Sequence, residues 1–283
     1  MTISGAAIVG GVCGAPIKHS LSPALHNAWI AAAGLDAAYI PFSPGVNNFE
    51  TFVNGFRGGA IRGLNVTIPF KARALAVADH ASDLARMAGA ANLLIFAADG
   101  SIHADNTDGP GLLGAIAEQA KGFDVSAAPV LILGAGGAAR GAVAALLLAG
   151  AARITIVNRT LARARELVAA FGPQVVAAED SALPGLLPEA GLVINATALG
   201  LGGGEGPAAD LTLTPKTAVI MDMVYKPLRT EFLRRAEAAG RRTVDGLEML
   251  LRQAVPSFEA FYGIAPPAEV DVRSIALKLL GEA

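Results

Sequence analysis

The segment 129–140, PVLILGAGGAAR, constrains the fold more than any other part of the chain. Its apolar run at 130–133 is typical of a buried parallel strand, and a glycine-rich turn and an alanine- and leucine-rich stretch follow directly. This order predicts a strand, a tight turn and a helix. Backbone N–H groups at the start of such a helix can bind a pyrophosphate if no side chains obstruct them. The segment therefore predicts a dinucleotide site, and the alternative is a glycine-rich turn without a ligand.

Three small residues of this segment have distinct predicted roles. Gly134 permits the tight turn, Gly136 permits close approach of the phosphates, and Ala139 permits close packing of the helix on the strand.

The end of the next predicted strand, at 154–157, indicates which dinucleotide binds. NAD sites usually carry an acidic residue at this position to hold the ribose 2'-hydroxyl, whereas this chain has Asn158, Arg159 and Thr160. Arg163 follows one turn later if Thr160 starts a helix. Planar guanidinium groups pair with phosphate oxygens in a bidentate manner, so the two arginines favour NADP, with its 2'-phosphate, over NAD. The alternative for Arg163 alone is a solvent-exposed helix face.

Composition excludes several functional classes. Hydrophobic residues make up 53% of the 283 residues and charged residues 16%, which is incompatible with disorder. A formal net charge of -2 argues against nucleic acid as a partner. The single cysteine, Cys13, excludes an intramolecular disulfide, and the four histidines lack the spacing of a zinc site. We expect no bound metal and a cytoplasmic location.

The apolar stretches do not predict membrane insertion. The N-terminal sequence MTISGAAIVGGVCG has no basic residue before Lys18, so it predicts a first strand rather than a signal peptide. The most apolar helical stretch, 141–152, is much shorter than the roughly 20 residues that a spanning helix needs. We therefore expect no membrane partner.

Alternating strand and helix patterns over 130–244 predict a doubly wound parallel sheet. Ligands of such sheets bind at the carboxyl ends of strands, where Asn195 and the segment 223–225 are expected. The C-terminal helices have apolar residues without partners in this nucleotide domain, so we place them on the first domain. The predicted domains are 1–108 with 246–283, and 109–245.

The first domain contains two hydroxyls ahead of a predicted helix. Pro23 suits the first helical position and Ser22 the N-cap, which is also the purely structural explanation of this serine. Ser20 lies outside the usual capping pattern. Together the two serines and the helix dipole can bind a carboxylate, which predicts an acidic small-molecule substrate.

Lys71 falls in the first turn of a helix predicted after Pro69, where the helix dipole disfavours a cation. A nearby carboxylate would offset this; otherwise Lys71 is an ordinary exposed lysine. Asp108 lies near a helix start and has capping as its alternative role. Gln253 lies on a helix predicted from Leu247 and has a solvent-facing position as its alternative. Pro256 is expected to kink or end that helix.

Taken together, the motifs resemble those of the shikimate dehydrogenase family. The resemblance extends along essentially the whole chain. It depends on ordered motifs: GAPIKHSLSP at 14–23, NVTIPFK at 65–71, AGAAN at 88–92, DNTDG at 105–109, GAGGAAR at 134–140, NRT at 158–160, MVY at 223–225 and DGLEMLLRQA at 245–254.

The resemblance implies a reversible, NADP-dependent interconversion of 3-dehydroshikimate and shikimate, a step toward chorismate and the aromatic amino acids. It implies an α/β fold with a Rossmann-like NADP domain and a substrate domain that has a mixed sheet. We expect a monomer or homodimer. Two alternatives are a quinate/shikimate dehydrogenase of broader substrate or NAD use, and a non-catalytic NADP-binding regulator.

The resemblance also implies residue roles. Lys71 and Asp108 are the implied catalytic pair. The implied ligands of the substrate carboxylate are Ser20 and Ser22, with Tyr225. The implied contacts to the ring hydroxyls come from Thr67, Asn92, Gln253 and the catalytic pair. The implied NADP ligands are Gly134, Ala135, Gly136, Gly137, Ala138, Asn158, Arg159, Thr160 and Arg163, with Met223 and Gly246 near the nicotinamide. The loop 198–201, ALGL, departs from the polar residue and Gly-Met of many relatives.

Overall fold

The computed structural model describes residues 3–282, which form two compact units. The first unit runs up to Asp108 and resumes at Gln253, and the second is 109–252. The return to the first unit occurs inside one continuous helix, α10 (Gly246–Tyr262). This boundary lies later than the expected one at 245/246, because about two turns of α10 stay with the second unit.

The second unit is a doubly wound sheet. Its strands are β7 (Val130–Leu133), β8 (Ile154–Val157), β9 (Val175–Ala178), β10 (Leu192–Asn195), β11 (Val219–Asp222) and β12 (Arg242–Val244). They are ordered β12-β11-β10-β7-β8-β9, and every neighbouring pair is parallel. This is the Rossmann order, in which the topological switch lies between β7 and β10. The doubly wound parallel sheet predicted from the alternating pattern over 130–244 is confirmed.

Helices cover both faces of this sheet, which explains why its strands are continuously apolar. Val130 and Ile132 pack in one core cluster with Val143 and Leu146, whereas Leu131 faces the opposite cluster. The helices of this unit are α5 (Asp108–Gln119), whose first residue belongs to the first unit, α6 (Gly137–Leu148), α7 (Leu161–Val168), α8 (Leu183–Leu186), α9 (Glu231–Ala238) and the first part of α10.

The first unit has a mixed sheet of β1 (Ile8–Cys13), β2 (Ala37–Phe42), β3 (Gly63–Val66), β4 (His80–Ala81), β5 (Leu93–Phe96) and β6 (Ile102–Asp105). The order is β2-β1-β3-β5-β6-β4; β5 is antiparallel to both β3 and β6, and the other pairs are parallel. Its helices are α1 (Ser22–Ala32), α2 (Phe49–Asn54), α3 (Lys71–Val77), α4 (Asp83–Ala88), the later part of α10, and α11 (Val272–Leu280). Strands β5 and β6 form an antiparallel hairpin whose turn contains Asp99 and Gly100.

Two details differ from expectation. Pro256 lies inside α10, which continues to Tyr262. Phe258 and Phe261 are buried beyond the proline, and their burial offsets the lost helix hydrogen bond. Ser22 is not the N-cap of α1: the cap position is Leu21, without a side-chain hydrogen bond, and Ser22 is the first helical residue. Among residues 3–282, no helix combines the length and apolar character needed to cross a membrane.

Candidate active site

Lys71 and Asp108 form a direct ion pair in the first unit. Lys71 is the first residue of α3, and its Nζ lies 2.5 Å from Oδ2 of Asp108, the first residue of α5. Both side chains are partly accessible, at 30% and 26% exposure. The carboxylate offsets the unfavourable dipole at the start of α3. The expected partner of the lysine is therefore present, and both groups are accessible to a ligand.

Asn92 fixes the other oxygen of this carboxylate. Its Nδ2 donates to Asp108 Oδ1 at 2.9 Å, and its Oδ1 accepts from the backbone N–H of Thr107 at 2.7 Å. Asn92 is buried, so both ends of its amide are held. Gln253 joins the group, because its Oε1 accepts from Thr107 Oγ1 at 3.2 Å. Four predicted site residues from distant segments therefore lie together.

A buried polar network behind this group was not predicted from the sequence. The hydroxyl of Tyr39 donates to Asn65 Oδ1 at 2.8 Å, and Asn65 Nδ2 donates to Ser257 Oγ at 2.7 Å and to the carbonyl of Asn92 at 3.1 Å. Burial raises the pKa of Tyr39, with a smaller opposing contribution from its hydrogen bond with Ser22. The available signal was Asn65 itself, an amide within the otherwise apolar β3. This network supports Asn92 and α10 from the core side.

The predicted carboxylate-binding serines lie together before and at the start of α1. The backbone N–H of Ser22 donates to Ser20 Oγ at 3.3 Å, and Ser22 is more deeply buried than Ser20. Thr67 follows β3, and its backbone N–H donates to the carbonyl of Cys13 at 2.9 Å. A Cβ at Gly14 would lie 2.4 Å from Thr67 Cγ2, so only glycine permits this contact.

The glycine-rich turn of the second unit has the form of an anion site. Gly134 adopts a positive φ of 107°, and a Cβ there would lie 2.8 Å from Thr197 Cγ2. Gly136 and Gly137 have no atoms within 4 Å of a built Cβ, so the space above them is open. Helix α6 has no side-chain cap and no acidic residue in its first turn. Its N-terminal N–H groups and dipole therefore fit a pyrophosphate.

The two arginines expected to bind a ribose phosphate, Arg159 and Arg163, both lie just after the carboxyl end of β8. Arg159 directly follows β8 within an exposed turn, in which Asn158 Nδ2 donates to the carbonyl of Thr160 at 2.9 Å. Arg163 is in the first turn of α7. Within the described part of the chain, neither arginine makes a salt bridge. The residues fit NADP, because two exposed guanidinium groups and no carboxylate occupy this turn.

The remaining predicted residues follow β11 or begin α10. Met223 and Tyr225 lie on the segment after β11, and burial raises the pKa of Tyr225. Gly246 packs directly against this segment: a Cβ there would lie 2.6 Å from the carbonyl oxygen of Met223. The small residue thus brings the start of α10 onto the backbone after β11.

Across residues 3–282, no cluster of three or more histidine, cysteine, aspartate or glutamate residues has a geometry that could hold a metal ion.

Comparison with known proteins identifies the family. The model of the shikimate dehydrogenase substrate binding domain matches residues 12–94, and that of the shikimate / quinate 5-dehydrogenase domain matches 115–200. A shikimate dehydrogenase (NADP(+)) of Caulobacter vibrioides is 80% identical over 280 residues, which is 99% of this chain and 98% of the relative. The chain belongs to the shikimate dehydrogenase family. It is therefore an oxidoreductase by family, and the resemblance drawn from the motifs is confirmed.

Solved structures of shikimate dehydrogenases share the whole fold. The enzyme from Thermus thermophilus, in complex with NADP(H) and shikimate, is 34% identical with a TM-score of 0.84, over 96% of this chain and 99% of that one. The enzyme from Listeria monocytogenes, in complex with shikimate and NAD, is 31% identical with a TM-score of 0.89, over 98% of each chain.

Proposed function

We propose that this chain is an NADP-dependent shikimate dehydrogenase that interconverts 3-dehydroshikimate and shikimate, with Lys71 and Asp108 as its catalytic pair. The observation that carries the proposal is the 2.5 Å contact between these side chains, held by Asn92 and accessible to a ligand. The shikimate dehydrogenase (NADP(+)) relative at 80% identity supports the same reaction. The pair belongs to the first unit, which we assign to substrate binding, and the second unit is assigned to NADP.

Lys71 moves the proton in this mechanism. NADP(H), when bound, supplies the hydride or accepts it. Reduction of a ketone leaves an alkoxide that needs a proton, and the Lys71 ammonium hydrogen-bonds this oxygen and donates to it. In the oxidation direction, the neutral amine takes the proton of the hydroxyl. The proton and hydride together convert C=O to CH–OH, so the atoms balance.

Asp108 orients Lys71 and binds substrate. Its Oδ2 holds the ammonium and its Oδ1 holds Asn92, so the carboxylate links the proton donor to a buried amide. The pair keeps Lys71 in one orientation despite its position at a helix start.

The other proposed substrate ligands are assigned according to the substrate group that each can hydrogen-bond. Ser20 and Ser22 are the proposed carboxylate ligands, with Tyr225 as a further contributor, because hydroxyls donate to carboxylate oxygens. Thr67, Asn92 and Gln253 supply hydroxyl and amide groups, which can donate to or accept from ring hydroxyls.

NADP is assigned to the glycine-rich turn and the exposed arginines of the second unit. The pyrophosphate binds to the turn formed by Gly134, Ala135, Gly136, Gly137 and Ala138. The 2'-phosphate end binds to Asn158, Arg159, Thr160 and Arg163. Met223 and Gly246 line the nicotinamide end. Support comes from the open space above Gly136 and Gly137 and from the absence of a salt bridge to either arginine in the described residues.

We infer a cytoplasmic location, a small-molecule partner only, and a monomer or homodimer. The single cysteine, Cys13, is buried and free, and a lone free thiol is typical of proteins in a reducing compartment.

The test is absorbance at 340 nm with purified protein, offering shikimate and quinate, each with NADP⁺ and NAD⁺. We expect turnover that is greatest with shikimate and NADP⁺. Greater turnover with quinate or NAD⁺ would instead assign the broader dehydrogenase activity, and binding of NADPH without any turnover would assign the non-catalytic regulator.

Lys71→Ala tests the mechanism within that assay. We expect kcat to fall about 100-fold or more, because the proton donor is lost, while the Kd for NADPH stays unchanged. Lys121→Ala is the matched control, since Lys121 is an exposed lysine elsewhere on the chain. A Lys71 variant with wild-type kcat would remove this residue from the chemistry.

A further inference from the structure

A fully buried carboxylate, Asp222, lies at the carboxyl end of β11 and is not used in the mechanism above. The residue is 0% exposed and its side chain makes three hydrogen bonds. Oδ1 accepts from Asn195 Nδ2 at 2.9 Å and from the backbone N–H of Val224 at 3.0 Å, and Oδ2 accepts from Thr230 Oγ1 at 2.6 Å. Burial raises the pKa of this carboxyl group. A buried acid is costly to maintain, so its three donors call for an explanation beyond packing.

The first consequence of these bonds is a fixed orientation for Asn195. Because Asp222 takes the Nδ2 group, the Oδ1 of Asn195 faces Thr197 and accepts from its N–H at 3.0 Å and its Oγ1 at 2.7 Å. Asn195 Nδ2 also donates to the carbonyl of Leu199, and Thr197 Oγ1 accepts from the Leu199 N–H. The loop after β10 is thereby held by side-chain hydrogen bonds that start from Asp222.

The second consequence concerns the glycine-rich turn. Thr197 Cγ2 would be 2.8 Å from a Cβ at Gly134, and the backbone of Ala196 would be 3.2 Å away. The loop after β10 therefore forms the surface on which the turn rests. Displacement of this loop would displace the turn.

The third consequence concerns the segment after β11. Asp222 holds the N–H of Val224, while the N–H of Met223 donates to the carbonyl of Asn195 at 3.0 Å. Gly246 packs on the carbonyl of Met223. One carboxylate thus connects the loop after β10, the segment after β11 and, through Thr197, the turn after β7.

We infer that Asp222 is a positioning residue for the dinucleotide: its hydrogen bonds set the relative placement of the loop after β10, the pyrophosphate turn that rests on this loop, and the segment after β11 at the nicotinamide end. This inference depends on the proposed assignment of the glycine-rich turn and Met223 to NADP. It is distinct from the ribose-phosphate end, where Arg159 and Arg163 act.

Two substitutions at position 222 separate loss of the hydrogen bonds from loss of the negative charge. In Asp222→Asn the side-chain carbonyl can still accept from Asn195 and Val224, and the amide nitrogen can donate to Thr230 Oγ1. This variant therefore retains the three hydrogen bonds without the charge. Asp222→Ala removes all three bonds and leaves the Asn195 amide free to turn. The control is Thr214→Val, which removes a buried hydroxyl bonded to the Leu211 carbonyl and to Arg241, ahead of the amino end of β11.

The experiment measures steady-state kinetics with NADP⁺ and shikimate, NADPH binding by its fluorescence, and displacement of bound NADPH by adenosine 2'-monophosphate, a probe that lacks both the pyrophosphate and the nicotinamide. For Asp222→Ala we expect kcat/KM for NADP⁺ to fall about 100-fold, because catalysis is sensitive to placement errors of about 1 Å. The KM for shikimate and the Kd of adenosine 2'-monophosphate should be unchanged, because this probe contacts only the 2'-phosphate end of the site. Asp222→Asn should retain most of the wild-type kcat/KM.

Several outcomes would overturn the inference. One is that Asp222→Ala behaves like Thr214→Val, with a lower Tm and wild-type kinetics. Another is that the Kd of adenosine 2'-monophosphate rises in parallel with the KM for NADP⁺, which indicates general disruption. A third is that Asp222→Asn is as impaired as Asp222→Ala. Failure of the proposed function is distinguishable, since wild-type protein would then lack turnover while the two binding measurements still report on Asp222.

Discussion

Replacement of His26 by leucine should remove a defined pH dependence from the stability of the first unit. The ring of His26 is 0% exposed, and neither of its nitrogens has a hydrogen-bond partner among the described residues. It stacks on Tyr39 with ring centroids 4.0 Å apart and contacts Trp29 edge-on at 5.6 Å. This apolar enclosure lowers the pKa of His26 from 6.5 to about 3.

The magnitude follows from proton linkage. Between pH 6.5 and pH 3 the unfolded chain binds a proton at His26 and the folded chain does not, so the free energy of unfolding falls as pH falls. The contribution of the neutral His26 ring to the free energy of unfolding is fully present above the pKa of the unfolded chain. It falls by about 1.4 kcal/mol per pH unit as the pH drops from 6.5 toward 3. From pH 7 to pH 5 the integrated loss is about 2 kcal/mol.

The assay is urea unfolding at pH 7 and pH 5, followed by fluorescence of Trp29, the single tryptophan of the chain, which is buried beside His26. Leucine at 26 cannot be protonated and leaves no unsatisfied nitrogen. His26→Leu should therefore lose about 2 kcal/mol less than the wild type between the two pH values. His103→Leu is the control, because His103 is exposed; its pH dependence should match the wild type within about 0.5 kcal/mol.

Parallel pH dependence in wild type and His26→Leu would refute this reasoning. It would mean that the folded protein accommodates a charged imidazole at 26, either by admitting water or by moving a polar partner to it.

Three further substitutions test the second unit. Arg159→Ala should weaken NADPH binding about tenfold or more while leaving NADH binding nearly unchanged, because only NADPH has the 2'-phosphate; equal losses in fluorescence titrations would contradict the assignment. Gly246→Ala should lower the free energy of unfolding by about 1–3 kcal/mol, since its Cβ would meet the Met223 carbonyl oxygen at 2.6 Å. Gly141→Ala in α6 meets no atom within 4 Å and should be neutral or stabilising by about 0.5–1 kcal/mol in the same denaturation assay.

Local sequence was informative where one physical constraint dominates. A buried parallel strand must be apolar on both faces, and the turn after it must be free of side chains to bind a phosphate, so 129–140 predicted β7, the turn and α6 correctly.

Local sequence was misleading where packing outweighs propensity. Ser22 and Pro23 matched an N-cap and first helical residue, yet α1 begins one position earlier, because Ser22 is buried and its backbone N–H bonds to Ser20. Pro256 was expected to interrupt α10, but apolar residues on both sides of it, Ala254 and Phe258, belong to one core.

Local sequence specifies the chemical groups and the element that carries each: an amine in a first helical turn, an acid at a helix start, and a glycine turn after a strand. Which of these groups meet depends on how the chain folds. Lys71, Asn92, Asp108 and Gln253 come from distant segments, and their hydrogen bonds exist because the mixed sheet and α10 bring those segments together. The Asn65, Ser257 and Asp222 contacts have the same origin, since a buried polar side chain takes whichever partner the fold places within reach.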